Sequence, residues 1–207
     1  FSSSSDISTG SDQIVTFTDL PDNTYSGETI TVTDAAGNAT SLTIPDFVID
    51  TNAPTLTGVR IASSNGDPTL AKAADTVTLT IVASEPINRP TCAFPDISDT
   101  SVDYNTGGGE ACFATTVGTN DAECAAAAQG FTGDTTANQT ACQGAGACTY
   151  TDSAWTCTAT LTSGDTPGAL GFTIDSTDIV GNVLSQVSAV THGSAVTFDE
   201  TAPTPTA

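Results

Sequence analysis

Six cysteines and one histidine are the side chains best equipped for covalent or metal chemistry in this 207-residue chain. The cysteines stand at Cys92, Cys112, Cys124, Cys142, Cys148 and Cys157. No C-x-x-C pair occurs, and one imidazole falls short of the usual Cys/His zinc sets. An even number of widely spaced thiols reads instead as disulfides, which imply an oxidising compartment and hence export. The residues alone do not choose among the possible pairings.

Catalytic constellations are missing. His192 lies in Val190-Thr191-His192-Gly193-Ser194, without the context a Ser-His-Asp triad needs, and is expected as an exposed loop residue. No pair of carboxylates stands out for glycoside chemistry. Gly107-Gly108-Gly109 is not followed by Lys-Ser/Thr, so it is no phosphate loop and reads as a flexible loop. The chain is therefore not read as an enzyme. Modification is the remaining local chemistry: Asn138-Gln139-Thr140 is an N-glycosylation sequon expected on the surface. Asn38-Ala39-Thr40 is a second sequon, tied into a turn, and Ser2-Ser3-Ser4-Ser5 would suit O-linked sugars.

Charge narrows the partners. Twenty-four acidic residues face only Arg60, Lys72 and Arg89, a formal net charge of -21. Nucleic acid is excluded, because binding it requires a cationic surface. So many carboxylates call for screening by salt or by bound cations. Hydrophobic content of 38% with regular patterning argues against disorder. No apolar run is long enough to span a membrane, and no signal peptide remains. The start at Phe1 reads as a mature or excised segment.

The elements that must position these groups are strands. Period-2 alternation recurs, and no segment keeps a helical apolar stripe. Val77, Leu79 and Ile81 share one face, as do Ile30 and Val32. The same holds for Trp155, Cys157, Ala159 and Leu161, for Leu170, Phe172 and Ile174, and for Val196 with Phe198. Threonines hold the opposite faces, where a branched Cβ favours extended backbone and the hydroxyl meets water. Short strands between turn signals predict an all-β sandwich architecture.

Two phrases order the array. Thr33-Asp34-Ala35-Ala36-Gly37-Asn38 precedes Asp50-Thr51-Asn52-Ala53-Pro54, and Thr177-Asp178-Ile179-Val180-Gly181-Asn182 precedes Asp199-Glu200-Thr201-Ala202-Pro203. A turn phrase and a joint phrase recurring together indicate tandem modules. Residues 1–52 are then the back half of a module, with strands near 13–18, 28–33 and 42–49. Residues 53–203 form a whole module, and 204–207 begin another. The interval between joints is roughly 50 residues longer than an immunoglobulin-like sandwich needs. The surplus falls at about 98–150 and is expected to be an irregular, disulfide-stapled insertion, with Cys92 and Cys157 able to clamp its base. The half-module must be completed by missing sequence or by a neighbouring subunit.

Tyr25, the run Ile30 to Asn38, Phe47 to Pro54, and their second copy from Phe172 to Pro203 resemble bacterial-type Ig-like (cadherin-like) tandem repeats. Such repeats occur in giant extracellular adhesins and surface fibres, and also in marine protists. The resemblance covers residues 25–97 and 155–204, not the cysteine-rich insertion. It implies tandem Ig-like β-sandwiches, and it implies Ca²⁺ at the joints. By position the ligands would be Asp34, Asn38 and Asp50, then Asp178, Asn182 and Asp199, with Glu85 joining from the following module. Ca²⁺ takes six to eight oxygens, and this chain is rich in them. The expected role is a structural segment of an extracellular filament, stalk or giant adhesin at the cell surface, whose partners are neighbouring modules of the same fibre. One alternative is an adhesive module that binds carbohydrate or a host protein through the insertion, with Tyr104, Phe113, Phe131, Tyr150 or Trp155 in contact. Another is an accessory domain of a secreted hydrolase.

Overall fold

A computed structural model describes residues 20–98, 103–104, 109–114, 121–129, 135–193 and 195–205. The chain is mostly β, with 41% of residues in strands and 9% in helices, so the all-β expectation holds at the level of class. It divides into two compact units, Phe1–Asn52 and Ala53–Ala207. The expected strand at 13–18 lies outside the described residues.

In the first unit, β1 (Asn23–Tyr25) pairs antiparallel with β4 (Phe47–Ile49), and Tyr25 stacks on Phe47 with ring centroids 4.9 Å apart. The other pair is a hairpin, β2 (Thr29–Thr33) with β3 (Ala39–Thr43). One strand was expected over 42–49; the structure has two, separated by Ile44-Pro45-Asp46, since proline lacks the N–H that a ladder requires. Among the described residues of this unit only Tyr25 is buried, and Val32 and Leu42 are 49% and 69% exposed. The hairpin alternates, but its apolar side is uncovered among the described residues.

The second unit has a true core. β5 (Leu56–Ser63), β7 (Thr76–Ala83), β10 (Gly109–Ala114) and β11 (Cys148–Thr160) form an antiparallel sheet in the order β10-β11-β7-β5, and β9 (Asp103–Tyr104) also pairs with β11. Smaller sheets are β8 (Thr91–Ala93) with β13 (Thr173–Asp175), and β12 (Gly168–Ala169) with β14 (Thr197–Phe198) and β6 (Leu70–Ala71). Val59, Ile61, Val77, Leu79, Ile81, Cys157, Ala159 and Leu161 meet Cys92, Phe94, Leu170, Phe172, Ile174, Val196 and Phe198 in one cluster. Each fully buried Val, Leu, Ile or Phe contributes about 1.5–3 kcal/mol. Trp155 is half-buried against that cluster.

The described residues of the insertion hold regular structure where an irregular segment was expected. Besides β9, β10 and the start of β11 they include α1 (Asp121–Gln129) and α2 (Thr135–Gly144). The run Ala125 to Ala128 is helical because alanine has the highest helix propensity. An Ala/Cys face carries no apolar stripe, so periodicity gave no helix signal. Gly109 opens β10 and is not loop. Phe131 lies outside the described residues.

All six cysteines are paired: Cys92–Cys157, Cys112–Cys142 and Cys124–Cys148. The first closes 65 residues of chain around the other two, which interlock. Three disulfides require an oxidising environment to form. No helix among the described residues is long and apolar enough to cross a membrane.

Candidate functional site

The two T-D-x-x-G-N phrases fold into the same hydrogen-bonded turn. In the first unit Asp34 N–H donates to Asn38 O at 2.9 Å. Asp34 Oδ1 accepts the N–H groups of Ala36 and Asn38, and Asp34 Oδ2 accepts Asn38 Nδ2 at 2.8 Å. In the second unit Asp178 N–H donates to Asn182 O at 3.0 Å. Asp178 Oδ1 accepts Val180, Gly181 and Asn182 N–H, while Asp178 Oδ2 accepts Asn182 Nδ2 at 2.7 Å. Gly37 and Gly181 have φ of 90° and 108°, a region that β-carbons disfavour. Asp, Gly and Asn are thus each demanded by the turn.

The joint phrases also repeat. Asp50 Oδ1 accepts Asn52 N–H at 3.0 Å, and Asp199 Oδ1 accepts Thr201 N–H at 2.7 Å. Asp22, which the sequence did not single out, accepts Thr51 Oγ1 and Asn52 Nδ2. Asp199 N–H donates to Ala71 O at 2.9 Å. Its surroundings form an open cleft of about 330 Å³ with Lys72, Ala73, Glu200, Thr201 and Ala202.

The electrostatics of the two turns differ. Asp34 is exposed, and hydrogen bonds from Asn38, side chain first and then backbone, hold its carboxyl below the ordinary aspartate value. Asp178 is 1% exposed. Burial pushes its pKa up, but the donors on Asn182, Gly181 and Val180 together outweigh this and the net shift is downward. Asp178 is therefore a buried anion at neutral pH, a state that only satisfied hydrogen bonds or a cation make tolerable.

Glu85 reaches the same place. The Ile87 backbone bridges to Asp178, Asn88 N–H donates to Thr177 O, and Asn88 Nδ2 donates to Asp178 O. The Ser84-Glu85-Pro86 loop is held against the turn in this way. The carboxylate oxygens of Glu85 and Asp178 come within 4.8 Å of each other. An oxygen-only donor set suits a hard cation such as Ca²⁺ better than softer metals. Asp178 Oδ1 accepts three N–H donors and Oδ2 accepts Asn182 Nδ2, so a cation here would share the Asp178 carboxylate with these donors, with Glu85 beside it. Asp34 and Asp199 join no cluster of three acidic, histidine or cysteine groups among the described residues.

Other singled-out residues fall elsewhere. Asn138 was expected at the surface with a glycan; it is 2% exposed on α2, and its Nδ2 donates to Glu110. The expected surface position is thereby corrected, and the side-chain nitrogen of Asn138 is engaged in the fold. Glu110 also accepts Tyr150 O–H at 2.9 Å, tying β10, α2 and β11 together. His192 is half-buried, not exposed. Its Nδ1 bonds Thr191 Oγ1 at 2.6 Å, and its ring meets Phe113 edge-on at 5.0 Å. Thr57, Gly58, Val82, Thr149 and Thr151 complete a shallow groove there.

The sequence missed a second set of carboxylates, of which Asp75 and Asp165 are buried and Asp96 is half-buried. Asp165 accepts Ser98 N–H, Ser98 Oγ and Thr162 N–H; Asp75 accepts Lys72 N–H, Asn65 Nδ2 and Lys72 Nζ; Asp96 accepts Gly171 N–H. They close loops, and the Asp165–Ser98 and Asp96–Gly171 partners lie too far apart in sequence to leave a local signal.

Compared with known protein families, with curated proteins and with solved structures, the chain has no significant match in any of the three.

Proposed function

We propose that the chain is a structural segment of an extracellular filament, stalk or giant adhesin, built from Ig-like modules in tandem with calcium-stiffened joints. The observation that carries this reading is the repetition of one turn and one joint bond in both units: Asp34/Asn38 with Asp50/Asn52, and Asp178/Asn182 with Asp199/Thr201. Matching sequence phrases that also adopt matching hydrogen bonds are what duplicated modules produce. The resemblance to adhesin repeats points the same way.

The uneven burial supports it further. In the second unit the hairpin holding the turn has Ile174 fully buried, with β13 paired to β8. The corresponding strand of the first unit, β2, pairs only with β3 among the described residues. A two-stranded ribbon is marginal alone, so the reading gives the first unit further strands, from preceding sequence or from a neighbouring subunit. Calcium enters at Glu85 and Asp178, with Asn182, and the joint residues Asp50 and Asp199 are the sequence-based candidates at their own positions. When bound, the cation would neutralise clustered carboxylates and fix the loop against the turn. Electron microscopy of the native particle tests the reading: a filament with a regular axial repeat is expected, and an isolated compact monomer overturns it.

A further inference from the structure

Tension that enters a folded unit at one end and leaves at the other follows the shortest covalent route. In the second unit that route does not include the insertion. Cys92 is on β8 and Cys157 on β11, strands of different sheets, and their side chains meet inside the main core at 5% and 0% exposure. Their bond bridges a sequence separation of 65. We propose that Cys92–Cys157 is a mechanical bypass: it carries force past the insertion, so the insertion keeps its fold while the rest of the unit is stretched.

The make-up of the insertion shows what such a bypass protects. Its own core consists of the four half-cystines Cys112, Cys124, Cys142 and Cys148, with Ala127, Ala128, Ala145 and Tyr150 around them. Alanine buries little apolar area, so this cluster gains far less from the hydrophobic effect than the Val/Leu/Ile/Phe core beside it. Pulled from its ends, its helices and their Ala/Cys cluster would open before the Val/Leu/Ile strands β5 and β7. The bypass also makes extensibility redox-dependent. Reduction of Cys92–Cys157 by a dithiol gives two thiols and a disulfide of the reductant, and returns the insertion to the load path. The Cys112–Cys142 bond, with a separation of 30, then still hides part of it.

The physiological use of the bypass rests on the structural-array reading, but the device itself is testable on the isolated chain. The oxidised 207-residue chain is tethered by its two ends and stretched in a single-molecule force instrument, then exposed to dithiothreitol under load. The extension is expected to grow on full reduction by up to about 230 Å, at roughly 3.6 Å per residue. The C92S/C157S double variant should gain roughly half of that without reductant, because Cys112–Cys142 remains closed. Two results overturn the proposal: an oxidised wild-type chain that already reaches the full contour length, or no added length on reduction. The reductant experiment uses only wild-type protein, so poor folding of the variant does not blunt it. A failed length test within a genuine filament removes the bypass alone, and a monomeric native particle removes only its use.

Discussion

Asn182 Nδ2 donates to Asp178 Oδ2 at 2.7 Å, closing a turn whose Asp178 Oδ1 already holds three backbone N–H groups. The same side-chain bond joins Asn38 to Asp34, but in the open. Identical chemistry at different burial should therefore differ in energetic consequence. D178A would remove a buried acceptor shared by three backbone N–H groups and Asn182 Nδ2, whereas D34A removes an exposed one that water can replace. Denaturant titration should show a clear fall in midpoint for D178A and little change for D34A. G181A, forced to keep a positive φ, should cost about 1 kcal/mol or more.

Glu85 and Asp178 predict a calcium dependence. Added Ca²⁺ should raise the melting temperature of the wild-type chain, and EDTA should reverse it. At free calcium about 100-fold above Kd the stabilisation is about 2.7 kcal/mol. E85Q, which keeps the shape but removes a charged ligand, should abolish most of the shift. A wild-type melting curve indifferent to both additions would remove calcium from the proposed function.

Acid should loosen the second unit through Asp165. Burial raises the pKa of this group, but bonds from Ser98 and Thr162 outweigh burial and leave it below the ordinary aspartate value. A folded pKa below the unfolded one contributes stability above the unfolded value, about 3.9, and loses it as pH falls through the folded value. The stability gap between wild type and D165N should thus be constant from pH 7 to about pH 5 and shrink below about pH 4. A gap that stays unchanged at pH 3 would contradict this. Using the difference cancels the general relief of repulsion as the other carboxylates protonate.

Loss of the Cys92–Cys157 bond should be costly at equilibrium as well as under load. A C92A/C157A variant releases a loop of separation 65, which loop-closure entropy values at about 4 kcal/mol. Non-reducing peptide mapping should recover Cys92–Cys157, Cys112–Cys142 and Cys124–Cys148, with no free thiol.

Gly58 is fixed by a neighbour. A β-carbon there would sit 3.2 Å from the Phe113 ring, which also carries Arg60 at 5.2 Å from its centroid. G58A should cost about 1–3 kcal/mol, as overpacking does, and should perturb the His192 ring signals in NMR. An unchanged His192 spectrum would count against the contact.

In the main sheet, β7 and the part of β11 from Trp155 were legible in advance, because Val77, Leu79 and Ile81 alternate with threonines and period 2 is a local property, whereas β5 and β10 were not. The Asp-Gly-Asn turns were legible for the same reason: donors and acceptors lie within four residues. The helices of the insertion were not, since Asp121 to Gln129 carries no amphipathic stripe. Asn138 was misread because a sequon says nothing of Glu110, which is 28 positions away.

The sequence by itself determined strand faces, turns, the recurrence of the two phrases and an oxidising setting. These follow from alternation, φ preferences and cysteine parity, all of which act over a few residues or on composition. Only the tertiary structure decided which cysteines pair, that Asp178 is a buried anion while Asp34 is open, and that Glu85 meets Asp178. Those outcomes depend on which distant segments are brought together and how much water remains between them, and no local pattern encodes either.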